Sequence, residues 1–306
     1  MIQKPMDVLQ QFPVRKSKTQ KQDFRSAVVA YLATLGYSCR TEQGIFGSQN
    51  LVIGDPTKAS FLVTAHYDTC ARMLLPNLIT PCNPWAFIGY QLFITLFMLG
   101  IPVIPGALVG AFTNFETGYL VWYFSFIATF MLMMLGPANP NNANDNTSGV
   151  VTLLEIAKSL PQEQRSKVCF VLFDMEELGL IGSKSYRNAH KIETDRQIIL
   201  NLDCVGDGDH LMVFPTKKLL QNSEMMAFLW KLNDSGKEKS INVHSTGFSV
   251  YPSDQRNFPY GAGIAAFKSK KGIGLYCDKI HTAKDTWLDE NNVNMLRDRI
   301  IAAITE

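Results

Sequence analysis

Between Met73 and Phe115 this chain carries no charged residue, and after Glu116 none returns until Asp145. The remainder carries charge at ordinary globular density, so the character of the chain changes abruptly in its interior. That is the pattern of an insertion, here spanning residues 73–136. Two stretches inside it are long enough for a bilayer core of about 30 Å. Trp85–Ile104 reads WAFIGYQLFITLFMLGIPVI and Tyr119–Gly136 reads YLVWYFSFIATFMLMMLG. Trp85, Tyr90, Tyr119 and Trp122 stand near the ends, as an interfacial aromatic belt requires. The spacing predicts a helical hairpin in contact with membrane lipid through residues 85–104 and 119–136, with Pro105–Gly118 as its connector. The connector holds one Glu and no Lys or Arg, whereas Arg15, Lys16, Lys18, Arg72 and Lys158 all lie on the other side. That asymmetry predicts a membrane-associated protein whose main domain is cytoplasmic. The competing reading is a buried hairpin, a lid or a dimer contact, and Pro102 and Pro105 favour it by interrupting the first segment.

The rest of the chain bounds the classes of function. At 306 residues it can bury a sizeable core. Lys plus Arg number 29 against 27 Asp plus Glu, which lacks the basic excess of a nucleic-acid binder. The six cysteines form no CxxC pair, and Cys169 and Cys204 sit in apolar runs, which reads as reduced thiols. The N-terminal MIQKPMDVLQQFPVRKSK has no apolar core of its own, so a cleaved signal peptide is not expected.

Outside the insertion, strands alternate with helices. Lys21–Tyr37 places Phe24, Val28, Leu32 and Leu35 on one face, the helical pattern. Asn50–Ile53, Ser60–Ala65, Val168–Phe173 and Ile198–Leu202 are apolar runs of strand length, the last two apolar enough to be buried on both faces. Helices are predicted after the polar segment PANPNNANDNTSG, over Gly182–Ala189, near Asn222–Asn233 and from about Asp289 to the end. The alternation predicts an α/β fold with a mostly parallel central sheet.

The chemistry-bearing residues share a placement. His66, Glu176, Glu177 and Asp203 each follow directly on a buried apolar strand, and sites in open α/β sheets form beyond the carboxyl ends of strands. Asp145, in the loop before a helix, and His281, in a late loop, can reach the same place. Taken singly, each has a bland reading as a loop or turn residue; their joint occurrence is the signal. In His66-Tyr67-Asp68 the Asp falls on the same side as the His and can hold its tautomer. Adjacent carboxylates at 176 and 177 face opposite ways, so one can bind metal while the other addresses the water to be activated. Mixed His and carboxylate donors suit Zn²⁺ in a catalytic site, and a shared carboxylate suits two ions. His190, His210 and His244 have no such surroundings and read as surface or hydrogen-bonded histidines rather than ligands.

The motifs, in order, resemble peptidase family M28, the zinc peptidases that include bacterial leucyl-type aminopeptidases. AHYD, NANDNTSGVVTLLEIAKSL, FDMEELGLIGSKSY, NLDCVGDGD, SDQRNFPYGAGIAAF and HTAKDTWLDENNV carry the likeness. The resemblance implies a three-layer α/β/α domain with a mixed sheet of about eight strands over the whole chain, 1–306, apart from the insertion. It implies two Zn²⁺ per chain, one on His66 and Asp203, the other on Glu177 and His281, with Asp145 bridging. It also implies Glu176 as general base and Asp68 as the residue orienting His66. Tyr251 is the nearest candidate for a tyrosine that stabilises the tetrahedral intermediate, while Ser253 and Asp254 read as structural. The implied reaction is hydrolysis of N-terminal peptide bonds. The alternatives are another amide hydrolase, or a glutaminyl cyclase with one zinc, which the NDN segment and the EELGLIGS run disfavour. A silent interaction protein fits least, because every ligand position is filled.

Overall fold

The structure, a computed structural model, describes residues 2–73 and 75–306; Met1 and Leu74, the latter in the insertion, lie outside the described residues. Its strands are β1 Cys39–Gln43, β2 Gln49–Ile53, β3 Phe61–His66, β4 Val168–Phe173, β5 Ile198–Leu202, β6 His210–Pro215, β7 Asp234–Ser235, β8 Ser240–Val243, β9 Gly261–Lys270 and β10 Gly274–Tyr276. The helices longer than five residues are α1 Lys18–Thr34, α2 Pro84–Gly100, α3 Val103–Phe112, α4 Phe115–Leu135, α5 Gly149–Ser159, α6 Ile181–Ala189, α7 Ser223–Trp230 and α8 Glu290–Thr305.

One mixed sheet runs in the order β1-β2-β4-β3-β5-β9-β6-β8-β7, with β10 paired to β9. Its centre, β4-β3-β5-β9, is parallel. The flanks are antiparallel except for β6 beside β8. The two shortest strands, β7 and β10, carry the count past the eight or so expected. Alternate side chains of the central strands enter two cores, as the period of two demands. Val63, Ala65, Phe170, Leu172, Leu200 and Leu202 face α1, α5, α7 and α8. Leu62, Val171, Phe173 and Ile199 face the other way, against Tyr186 of α6 and Phe258. The result is the three-layer α/β/α sandwich.

Helix ends follow side-chain chemistry. Ser17 and Gln20 cap α1 reciprocally, so it begins at Lys18 rather than Lys21. Asn222 caps α7 and Asp289 caps α8. The insertion departs from expectation at its connector. Residues 105–118 are almost wholly helical, and the turn between arms is only Thr113-Asn114. Pro105 sits in the first turn of α3, where its missing N–H has no helical partner to lose, and the sole break in the first arm is at Ile101-Pro102. Glycines let the arms meet backbone to backbone. A Cβ on Gly118 would fall 2.7 Å from the Gly106 carbonyl oxygen and 2.8 Å from Gly110 Cα, the small-residue contact of helix pairs in lipid. Both arms, Pro84–Phe112 and Phe115–Leu135, are long and apolar enough to cross a membrane, with only 17% and 6% of their most apolar windows buried. They are therefore not core helices of the sandwich.

Candidate metal centre

Parallel register brings three strand ends level. His66 pairs with Phe173, and Thr64 with Asn201, so Glu176, Glu177 and Asp203 follow just beyond the same edge. Asp145 arrives on the turn 143–148 before α5, and His281 on the loop after β10.

That turn is entirely buried despite its polarity. It can be so because its side chains pair the local main chain. Asn146 Nδ2 donates to the Leu202 carbonyl, and its Oδ1 accepts from the Gly149 and Cys204 N–H groups. Asp285 takes the N–H groups of Asn144 at 2.7 Å and Asp145 at 3.0 Å. Close approach requires Gly149, whose Cβ would stand 2.3 Å from the Leu202 carbonyl oxygen. Met175, Cys204 and His281 are held at φ of 56°, 57° and 61°. Such left-handed backbone at non-glycine residues concentrates where a site is over-determined by its surroundings.

The two oxygens of Asp145 face different partners. Oδ1 lies 3.3 Å from His66 Nε2, which is itself 3.6 Å from Asp203 Oδ1. Oδ2 lies 3.0 Å from His281 Nε2, which is 3.4 Å from Glu177 Oε2. Donors bound tetrahedrally to zinc at ~2.0–2.1 Å are about 3.3 Å apart, so both groups have the spacing of a zinc ligand set. Moreover, His66 Nε2, Asp203 Oδ1 and Glu177 Oε1 are buried without a hydrogen-bond partner. Unpaired buried polar atoms are costly, and His66 shares one cluster of possible metal donors with Asp145 and Asp203 and another with Glu176 and Glu177. The donor set fits zinc.

Charge is concentrated here. Burial pulls the His66 imidazole down, but Glu176, Asp145, Asp203 and Asp68 outweigh it and hold it well above the ordinary range. Burial likewise opposes the protonated form of His281, yet Glu177 and Asp145 lift it to about 9. Glu177 rises to about 8 through burial, His281 opposing. Burial also raises Glu176 well above its ordinary value, with Asp203, Asp254 and Glu177 adding to it. Asp145 goes the other way: burial is overcome by the two imidazoles, which hold it below the carboxylate range. So many carboxylates in one pocket call for positive charge.

The two adjacent glutamates differ in their surroundings. Glu177 is ion-paired with His281. The Glu176 carboxylate lines the pocket and has no hydrogen bond or ion pair among the described residues. Asp68 holds the main chain of this pair, accepting from the N–H of Glu176 at 3.0 Å and of Glu177 at 3.3 Å. Its carboxylate is 3.6 Å from His66 Nδ1, while its backbone carbonyl is closer, at 3.2 Å. The Tyr251 hydroxyl donates to the Asp203 carbonyl oxygen at 2.9 Å, so in this conformation it steadies the main chain at Asp203.

Several residues here carry no motif signal. Arg15, counted above among the basic residues on the main-domain side, is fully buried within that domain. It donates to the Tyr67 and Phe12 carbonyls and to Thr147, and its charge faces Asp68 and Asp145. Cys70 groups with Glu177 and His281, all donor atoms within 4.8 Å. Asp254, by contrast, lies in the SDQRNF motif; it is buried, and burial lifts it to about 7. His190 pairs with Glu42 and stands apart from the clustered donors.

A parallel-centred sandwich with two sets of metal donors at the carboxyl edge is the build of a metallohydrolase. A profile of peptidase family M28 matches residues 130–304. The chain belongs to that family of zinc-dependent hydrolases. Over 76 residues it is 41% identical to aminopeptidase YwaD of Bacillus subtilis (strain 168), a match that spans 23% of this chain and 16% of that protein. Its fold is that of glutaminyl cyclase from Porphyromonas gingivalis, with a TM-score of 0.63 at 16% identity over 98% of this chain and 95% of that one. A Zn-dependent exopeptidase from Parabacteroides distasonis ATCC 8503 superposes with a TM-score of 0.62 at 13% identity over 98% and 94% of the two chains.

Proposed function

We propose that this chain is a membrane-anchored aminopeptidase, with one catalytic domain interrupted by the hairpin, that uses two zinc ions. The observation that carries the reading is Asp145, whose two oxygens each serve a separate His–carboxylate pair. His66 and Asp203 would hold one ion, His281 and Glu177 the other, with Asp145 common to both. Zinc bound there supplies Lewis acidity toward the scissile carbonyl and acidifies water near neutral pH. Glu176, whose carboxylate has no hydrogen bond or ion pair among the described residues, takes the proton from the attacking water and delivers it to the departing amine. Asp68 keeps Glu176 and Glu177 in register through their N–H groups. The second donor pair, His281 and Glu177, favours hydrolysis at two ions over a one-zinc cyclase.

The anchor reading rests on the exposure of the hairpin and on charge at its base. At ~1.5 Å per residue, α4 spans about 30 Å, the thickness of a bilayer core. Lys16 Nζ donates to the Met134 carbonyl in its last turn, and Arg72 joins Pro137 through its main chain. Cations at the domain end and Glu116 alone near the far turn support a cytoplasmic catalytic domain.

The test uses zinc-loaded full-length protein in detergent and leucyl peptides with free or acetylated N-termini. An aminopeptidase cleaves the free peptides and spares the blocked ones. The reverse preference would make it an acyl-amide hydrolase, and cleavage of neither would end the reading. Removal of residues 84–136 should release the catalytic domain from the membrane fraction; retention there would contradict the anchor.

A further inference from the structure

The two arms of the hairpin close tightly at the glycine contact near the turn, but not toward the domain. Between α2 and α4 lies a cavity of about 600 Å³. That is within the ~300–1,000 Å³ of ordinary small-molecule sites. Ile94, Phe97 and Met98 form one wall, and Leu132 and Met133 the other. Arg72 is the single charged side chain on the lining, and it has no ion pair or side-chain hydrogen bond among the described residues.

The cavity adjoins the catalytic pocket, a space of about 320 Å³ that contains Asp145, Glu176, Glu177, Asp203 and His281. Met133 lines the first space and Met134, the next residue, lines the second. Met73 also lines the cavity, and its sulfur lies 3.1 Å from His281 Nδ1. Met73, Met133 and Met134 therefore stand at the edge between the two spaces, and methionines are flexible and repack readily around a guest.

The chemistry of the walls selects the occupant. Thr129 is the one hydroxyl on the lining, and it already donates to the Ser125 carbonyl. A peptide segment entering this space would leave its amides unpaired, at a cost of several kcal/mol for each group. A saturated hydrocarbon chain has no such groups to satisfy. The unpaired Arg72 guanidinium supplies the polar end, where a head group leaves the apolar walls.

Resting on the aminopeptidase reading, we propose that this cavity binds the long alkyl chain of the enzyme's own substrate, entering from the bilayer. The substrate class is then an amino acid or short peptide with a free N-terminus whose carboxyl is amidated by an amine bearing a long alkyl tail, not an N-acylated one. Water cleaves that amide C–N bond to give the free acid and the tailed amine.

The experiment compares leucine ethylamide with leucine dodecylamide, using zinc-loaded full-length protein in phosphatidylcholine nanodiscs. The ratio of kcat/KM, long over short, should rise by up to about fourfold per methylene buried. Thr129→Trp, and independently Ile94→Trp from the facing wall, should lower that ratio at least tenfold. Partition of the tail into the bilayer favours the long substrate equally in all variants, so an unchanged ratio in both would overturn the proposal. A second readout does not need turnover, and so separates failure of the cavity from failure of the peptidase reading. A dodecylamide with a terminal photoreactive diazirine should label peptides holding Ile94–Ile101 or Thr129–Met133, and unlabelled dodecylamide should compete. Labelling displaced by phospholipid alone would mean that the cavity holds a bilayer lipid, and the proposal would be wrong.

Discussion

Asp285 supports the proposed centre without belonging to its donor set, and Asp285→Asn isolates that support. The carboxylate is buried and accepts the N–H groups of Asn144 and Asp145, at 2.7 and 3.0 Å. Asparagine keeps the shape, but one end of its amide is a donor and would face one of those N–H groups. A hydrogen bond to a charged group contributes ~1.5–3 kcal/mol, so two set a ceiling of about 3–6 kcal/mol. Relaxation of the turn recovers part of it, and loss of a residue that orients a ligand typically costs ~10–100-fold in metal affinity. Zinc affinity, read by competition with a chromophoric chelator, should weaken by that factor. Turnover per fully loaded enzyme should change much less, because Glu176 and the donors themselves are intact. Wild-type zinc affinity in Asp285→Asn would refute the argument that this carboxylate fixes the position of Asp145.

Other perturbations follow the same reasoning. Gly149→Ala places a methyl group against the Leu202 carbonyl oxygen and should lower stability by ~1–3 kcal/mol, read as a fall in Tm with weakened zinc binding. Arg15→Met removes the buried cation facing Asp68 and Asp145 and should cost ~3–5 kcal/mol in urea unfolding; Arg15→Lys should not restore it, because one ammonium cannot reach the Tyr67, Phe12 and Thr147 acceptors together. Stripping metal with a chelator should lower Tm by several degrees, since a ligand at a hundred times its Kd stabilises by ~2.7 kcal/mol; an unchanged Tm would mean that the donors do not hold a metal.

The parts of the molecule that sequence could announce are those governed by local pattern. Val168–Phe173 and Ile198–Leu202 read as doubly buried strands because every residue but Asn201 is apolar, and all are buried. Strand ends then locate His66, Glu176, Glu177 and Asp203 along one edge. Asp145 and His281 arrive on irregular segments, so placing them needed the family's motif order as well. Contacts between distant segments left no local trace. Asp285 reaches back across the chain to the turn at 144–145, and Arg15 fills a space behind Thr147. Nothing near Arg15 distinguishes a buried guanidinium from the basic flank of a membrane span. The connector failed for a different reason: Pro105 and Gly106 look like a turn, yet one sits in a first helical turn and the other makes a helix contact. Exposure of the hairpin, which separates a membrane arm from a core helix, is a property of the packed molecule alone.

Glu176 is the group assigned to move the proton while other residues hold the metal. Glu176→Gln keeps the size and the N–H bonded to Asp68 but removes the base. Zinc content by mass spectrometry and hydrolysis of a leucyl peptide should be measured on the same preparation. Two zinc ions per chain, as in the wild type, are expected, with turnover lowered at least a hundredfold, in keeping with the ~10²–10⁴ that general-base catalysis contributes. Near-wild-type turnover at full zinc content would contradict that role.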